Sequence, residues 1–158
     1  MTDPYLWMKW LHILSATVLF GTGIGTAFHM YATHLRGDVA AIAIMARNTV
    51  LADWLFTASA GIAQPLTGFL MVYLSGQDPL ESWLVATYIL YVIAGGCWLK
   101  VVRLQYRMKA LAASAVAGGE ALPPDYHRAM KEWFLLGWPA FVSLVLVFAL
   151  MVMKPVLW

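Results

Sequence analysis

Four long apolar runs, divided by short stretches rich in Gly, Pro and Asp, constrain this chain more than any other feature. Helices are expected at about 5–34, 48–75, 81–112 and 125–154. A helix of roughly 20 apolar residues crosses the hydrocarbon core of a bilayer, so each run is long enough to span it. The dividing stretches carry helix breakers: "RGD" at Arg36 to Asp38, "SGQDP" at Ser75 to Pro79 and "GGEALPPD" at Gly118 to Asp125. The 158 residues are 62% hydrophobic and 11% charged, and four spans nearly exhaust them. With a mean hydropathy of +0.74, the expected fold is all-α. It is a transmembrane four-helix bundle formed by one integral domain over 1–158, with the lipid bilayer as its constant partner.

The few charges serve topology. Arg36, Arg47, Lys100, Arg103, Arg107, Lys109, Arg128 and Lys131 flank the first and third loops, whereas the opposite side has only Lys9 and Lys154. By the positive-inside rule both termini face the outer, periplasmic side of a bacterial inner (cytoplasmic) membrane. Lys100, Arg103 and Arg107 recur at intervals of three and four and share one face, which extends the third helix beyond the membrane. The first segment is too long for a signal peptide and has no small-residue cleavage site, so it is expected to be retained. A net charge of +2 offers no case for nucleic acid binding, and one cysteine, Cys97, excludes an internal disulfide. A homo-oligomer is left open.

The polar residues inside the spans are the candidates for function. In the first, "LFGTGIGTAFHM" looks like a phosphate loop but lacks the strand-to-helix setting of a dinucleotide fingerprint. On a helix Gly21 and Gly25 lie within about 40° of each other, a small-x-x-x-small pair suited to close helix packing. Gly23 falls within about 20° of His12 in projection, on a stripe with Ser15, Thr26, Thr33 and His34. In the second span Asp53, Thr57, Ala60, Gln64, Thr67 and Met71 are spaced 4, 3, 4, 3 and 4, a continuous stripe expected to face the bundle interior. Gln64-Pro65 and Trp138-Pro139 each place a proline where it frees a backbone carbonyl. An intramembrane carboxylate is costly unless answered, and Asp53 is expected in an ion pair with Arg103, or with Lys100 or Arg36.

His12 lies about one and a half turns inside the outer boundary. A neutral imidazole there can ligate haem iron or copper through one nitrogen while a hydrogen bond orients the other. His29, His34 and His127 fall near the cytoplasmic interface and read as solvated. Met8, Met71, Met151 and Met153 map to the outer third and could supply a thioether ligand beside His12. Trp7, Trp10, Trp83 and Trp158 read as an outer interfacial belt.

The segments "KWLHILSATVLFGTGIGTAF", "VLADWLFTASA", "QPLTG" and "LGWPAF" resemble a family of bacterial four-helix integral membrane proteins grouped as a domain of unknown function. The opening Trp7, Lys9, Leu11 and His12 is also distantly similar to the first helix of HemJ-type protoporphyrinogen oxidases and CopD-like copper-resistance proteins. The HemJ-type resemblance implies a haem b-binding role for His12, and its third-helix lysine would correspond to Lys100; oxidase activity is not carried over.

Three functions fit these residues. One is a haem b-binding redox protein exchanging electrons with quinone or another electron-transfer partner, with His12 as axial ligand and Ser15, Gly23, Thr26, Gln64 and Met71 around the cofactor. A second is a copper-handling protein built on His12 and methionines. The third is a non-catalytic membrane subunit whose polar stripes specify packing. The topology is the most direct expectation: a reporter fused to the C-terminus should be active only in its periplasm-reporting form. Activity of a cytoplasm-reporting fusion would reverse the orientation.

Overall fold

Each helix begins and ends where the sequence supplies the chemistry for it. In the computed structural model, which describes residues 3–158, α1 (Pro4–Arg36) starts with Pro4 in its first turn. The Asp3 carboxylate accepts from the Tyr5 N–H at 2.9 Å, satisfying one of the donors a helix start leaves unpaired. Gly37 ends it in the left-handed region, at φ 73°, where a side chain would be strained. The next residue, Asp38, caps α2 (Val39–Ala52) by accepting from the Ala41 N–H at 3.1 Å. The "RGD" turn is thus a helix stop and a helix start with no residue between them.

The second rod is a single run in three parts: α2, a π-helical turn (Asp53–Ala58) and α3 (Ser59–Ser75). It begins at Val39 rather than near residue 48, because Asp38 provides a cap and "VAAIAIMA" contains no helix breaker. Gly76 ends it, and Gly119 ends α4 (Ser82–Gly118), both with left-handed backbones. α5 (Pro124–Met153) follows the Pro123-Pro124 pair. At 37 residues α4 is about 55 Å long, well beyond the roughly 30 Å a hydrocarbon core requires, so it projects past the bilayer as its basic face implied.

The four rods run up and down and enclose two unlike interiors. At the end away from the termini, Met30, Ile42, Ala46, Leu104, Met108, Ala112, Tyr126, Ala129, Met130 and Trp133 form one buried apolar cluster drawn from every rod. α4 makes its most extensive contact with α5, and α1 makes its own with α3. Phe20 joins α1 to α5, stacking on Phe141 and meeting Phe148 edge-on. Towards the termini the interior between α1 and α3 is polar instead. There Leu157 N–H donates to the buried Ser82 hydroxyl and ties the C-terminal segment to the start of α4.

Two expectations about packing are corrected. Atoms added as a Cβ at Gly21, Gly23 or Gly25 would meet nothing within 4 Å, so the Gly21/Gly25 pair makes no close helix contact within the chain. α1 turns Ser15 and His12 toward α3, and Gly21 is left on its exposed side. Trp83, expected at the outer surface, is covered by the protein at the start of α4: its indole N–H bonds Glu81, and the Lys154 ammonium lies 5.2 Å from the ring centre, a cation–π distance.

Pro65 shows how α3 tolerates its missing N–H. The carbonyl four residues back, Gly61, loses its helical donor, and the Tyr91 hydroxyl reaches across from α4 to donate to it at 2.5 Å. Tyr91→Phe should therefore destabilise the protein by about 1 kcal/mol. In a Pro65→Ala background, where the backbone donor is restored, the same change should be nearly neutral. Detergent-to-SDS unfolding of the four proteins in the cycle measures this; equal losses in both backgrounds would refute the linkage.

Candidate functional site

The polar seam between α1 and α3 is closed by side chains from both. Gln64 donates its amide N–H groups to the His12 carbonyl at 2.7 Å and to the Ser15 hydroxyl, and Ser15 donates to the same His12 carbonyl at 3.1 Å. The Thr67 hydroxyl lies 2.8 Å from His12 Nδ1. That hydroxyl has a single proton, and it stands 2.6 Å from the Ala63 carbonyl, an acceptor only. Thr67 therefore accepts from the ring, and Nδ1 carries the proton. In the neutral imidazole this leaves Nε2 with its lone pair, and the Gln64 backbone carbonyl is a further neighbour of the ring.

The ring also packs against the backbone of α3 at Gly68. A Cβ there would stand 3.4 Å from His12 Cε1, an ordinary van der Waals contact. Thr67 belongs to the polar stripe that sequence spacing identifies. Gly68 adjoins that stripe, and its contact with the ring follows only from the approach of α1.

The residues proposed from sequence to surround a cofactor do not all meet. His12, Ser15 and Gln64 share one level. Met71 is one turn beyond Thr67 on α3 and half-buried. Gly23 and Thr26 are 11 and 14 residues further along α1, about 17 and 21 Å away by helical rise, which is beyond the reach of a porphyrin from an iron on His12. Angular projection aligned them with His12 and ignored that axial distance. Thr26 instead donates to its own helix at the Thr22 carbonyl.

Asp53 also departs from expectation. It is buried at the start of the π-helical turn, where its Oδ1 accepts from Thr57 at 2.9 Å, with Gln105 and Trp98 alongside. No Lys or Arg lies within ion-pair distance among the described residues, and the expected Asp53–Arg103 pair is not formed. On α4 it is Leu104 and Gln105 that turn inward, leaving Arg103 exposed. The carboxylate is answered by the neutral Thr57 hydroxyl. The Thr49 hydroxyl and Gln105 Oε1, both buried in the same region, have no partner.

At the far end, His34 and His127 come together across α1 and α5 with ring centres 5.6 Å apart, and His34 Nδ1 is buried without a partner. His127 is exposed, as expected of a solvated interfacial residue, whereas His34 is half-buried. Among the described residues no three His, Cys, Asp or Glu side chains converge as a metal site.

A family model described as "Predicted integral membrane protein (DUF2269)" matches residues 6–155. No curated protein and no solved structure matches the chain. The match covers all four rods and both polar clusters.

The arrangement around Asp53 has a direct consequence. Asp53→Asn and Arg103→Gln should lower stability independently, their losses adding to within about 0.5 kcal/mol, whereas Asp53→Asn and Thr57→Val should couple. Unfolding in mixed micelles separates the two patterns. Coupling to Arg103 and additivity with Thr57 would restore the ion pair.

Proposed function

The chain belongs to the DUF2269 family of integral membrane proteins, and we propose that it is a multi-pass redox protein of the bacterial inner membrane that holds haem b through His12 Nε2. The excess of basic residues at the end away from the termini supports an orientation with that end in the cytoplasm. The polar seam then lies in the outer half of the membrane. Its electron partner is a quinone or another membrane-bound carrier.

One observation carries this reading. The Thr67 hydroxyl, itself directed to the Ala63 carbonyl, favours the His12 tautomer with the proton on Nδ1, which leaves the Nε2 lone pair for a metal. A histidine serving only to join α1 to α3 would gain nothing from an Nε2 lone pair. The residues present fit the group to this extent: His12 would be the ligand, Thr67 bonds its Nδ1, and the ring packs beside Gly68. Gln64 and Ser15 fix the depth of His12 by bonding its backbone. When bound, haem supplies one-electron chemistry, and the chain supplies position and a low-dielectric setting.

Purified protein produced with ample haem should show a Soret band that His12→Ala removes while leaving membrane insertion unchanged. Thr67→Val should weaken haem retention by roughly 10–100-fold, the usual cost of losing such an orienting bond. Gly23→Leu should leave the band intact, given its axial distance. A colourless protein that retains stoichiometric copper would replace haem with the copper-handling reading. One that retains neither would leave His12 as a packing residue.

A further inference from the structure

The basic face of α4 does more than set topology. Between α4 and α5 lies an open groove of about 490 Å³ lined by Gly96, Leu99, Lys100, Arg103, Arg107 and, from α5, Glu132. Its charges are unevenly engaged. Lys100 is held by Glu132 at 2.7 Å, and Arg107 shares Asp125 with Arg128. Arg103 has no carboxylate partner among the described residues. The groove and its rim thus carry four cations against two carboxylates, with the guanidinium at the centre uncommitted.

The groove is also graded along the helix axis. Gly96 and Leu99 belong to the apolar run of α4, and a Cβ at Gly96 would meet nothing within 4 Å. Lys100, Arg103 and Arg107 follow where that run ends. The apolar part therefore lies at hydrocarbon depth and the cationic part at headgroup depth, because α4 must bury the former and hydrate the latter. We propose that this groove is a binding site for an anionic phospholipid. Arg103 and Lys100 hold the phosphate, and an acyl chain runs over Gly96 beside Leu99. A guanidinium offers paired donors to phosphate oxygens, which makes Arg103 the anchor. A soluble phosphate would use the cations and leave the apolar half of the groove unused. The site is separate from the His12 seam and independent of any cofactor there.

The test uses the full-length protein purified in mild detergent, with lipid retention followed by native mass spectrometry. Phosphatidylglycerol should be retained in preference to phosphatidylcholine of the same chain length. Arg103→Gln should weaken that retention roughly fivefold, the effect of about one interfacial cation. Lys131→Gln, which removes an exposed cation outside the groove, should not change it. Gly96→Leu fills the apolar half and should weaken retention of the lipid. It should have no effect on inorganic phosphate, which should not compete at matched ionic strength. Equal retention of the two lipids, equal effects of Arg103→Gln and Lys131→Gln, or displacement by inorganic phosphate alone would each overturn the proposal. The first points to a hydrophobic groove, the second to diffuse electrostatics and the third to a phosphate site.

Discussion

A bilayer supplies no hydrogen-bond partners, so a polar group carried into it is costly unless answered from within, and several contacts between the rods are such answers. The Gly61 carbonyl freed by Pro65 is met by Tyr91 from the neighbouring rod. The His12 carbonyl is met by Gln64 and Ser15, and the His12 ring by Thr67. The Asp53 carboxylate is met by Thr57. The bonds that cross between helices, from Tyr91, Gln64 and Thr67, also fix the depth and rotation of one helix against another. Apolar contacts alone do this poorly in lipid, where a leucine is as well accommodated facing the bilayer as facing a neighbour.

The two interiors divide the work. The apolar cluster around Met108 and Tyr126 draws on all four rods and holds the bundle together at the end where α4 projects. The opposite end is joined by directional bonds between α1 and α3. A candidate site belongs in the second setting, because polar groups that have been positioned by hydrogen bonds can present an unpaired atom without unravelling a packed core. The His12 Nε2 lone pair is presented in this way. The π-helical turn at Asp53 separates the two interiors and marks where the second rod changes from packing against α4 to packing against α1.

Residues of one type are used differently according to depth. Among the basic side chains of α4, Lys100 and Arg107 are tied to α5 by carboxylates, while Arg103 between them stays open to the surface. Among the glycines, Gly68 lies beside the His12 ring, Gly37 and Gly76 end helices, and Gly21 and Gly23 stand on open ground. The spacing of a glycine on a helix therefore says little about its use until the facing surface is known.

Much of the fold was legible in the sequence. The four apolar runs required four spans, the "RGD", "SGQDP" and "GGEALPPD" stretches marked the turns, and the spacing from Asp53 to Met71 identified the inward stripe of the second rod. These are local matters, set by length, helical period and backbone preference. Part of the site was legible too: His12, Ser15 and Gln64 stood out as polar residues in apolar helices. The sequence could not say which neighbour each would meet. Only the packing of rod on rod brought Thr67 to His12 Nδ1, left Gly68 beside the ring and kept Asp53 apart from Arg103. Helical period fixes the direction in which a side chain leaves its own axis. It does not fix the rotation or the axial offset of one helix against the next, and a hydrogen bond forms only when both are right.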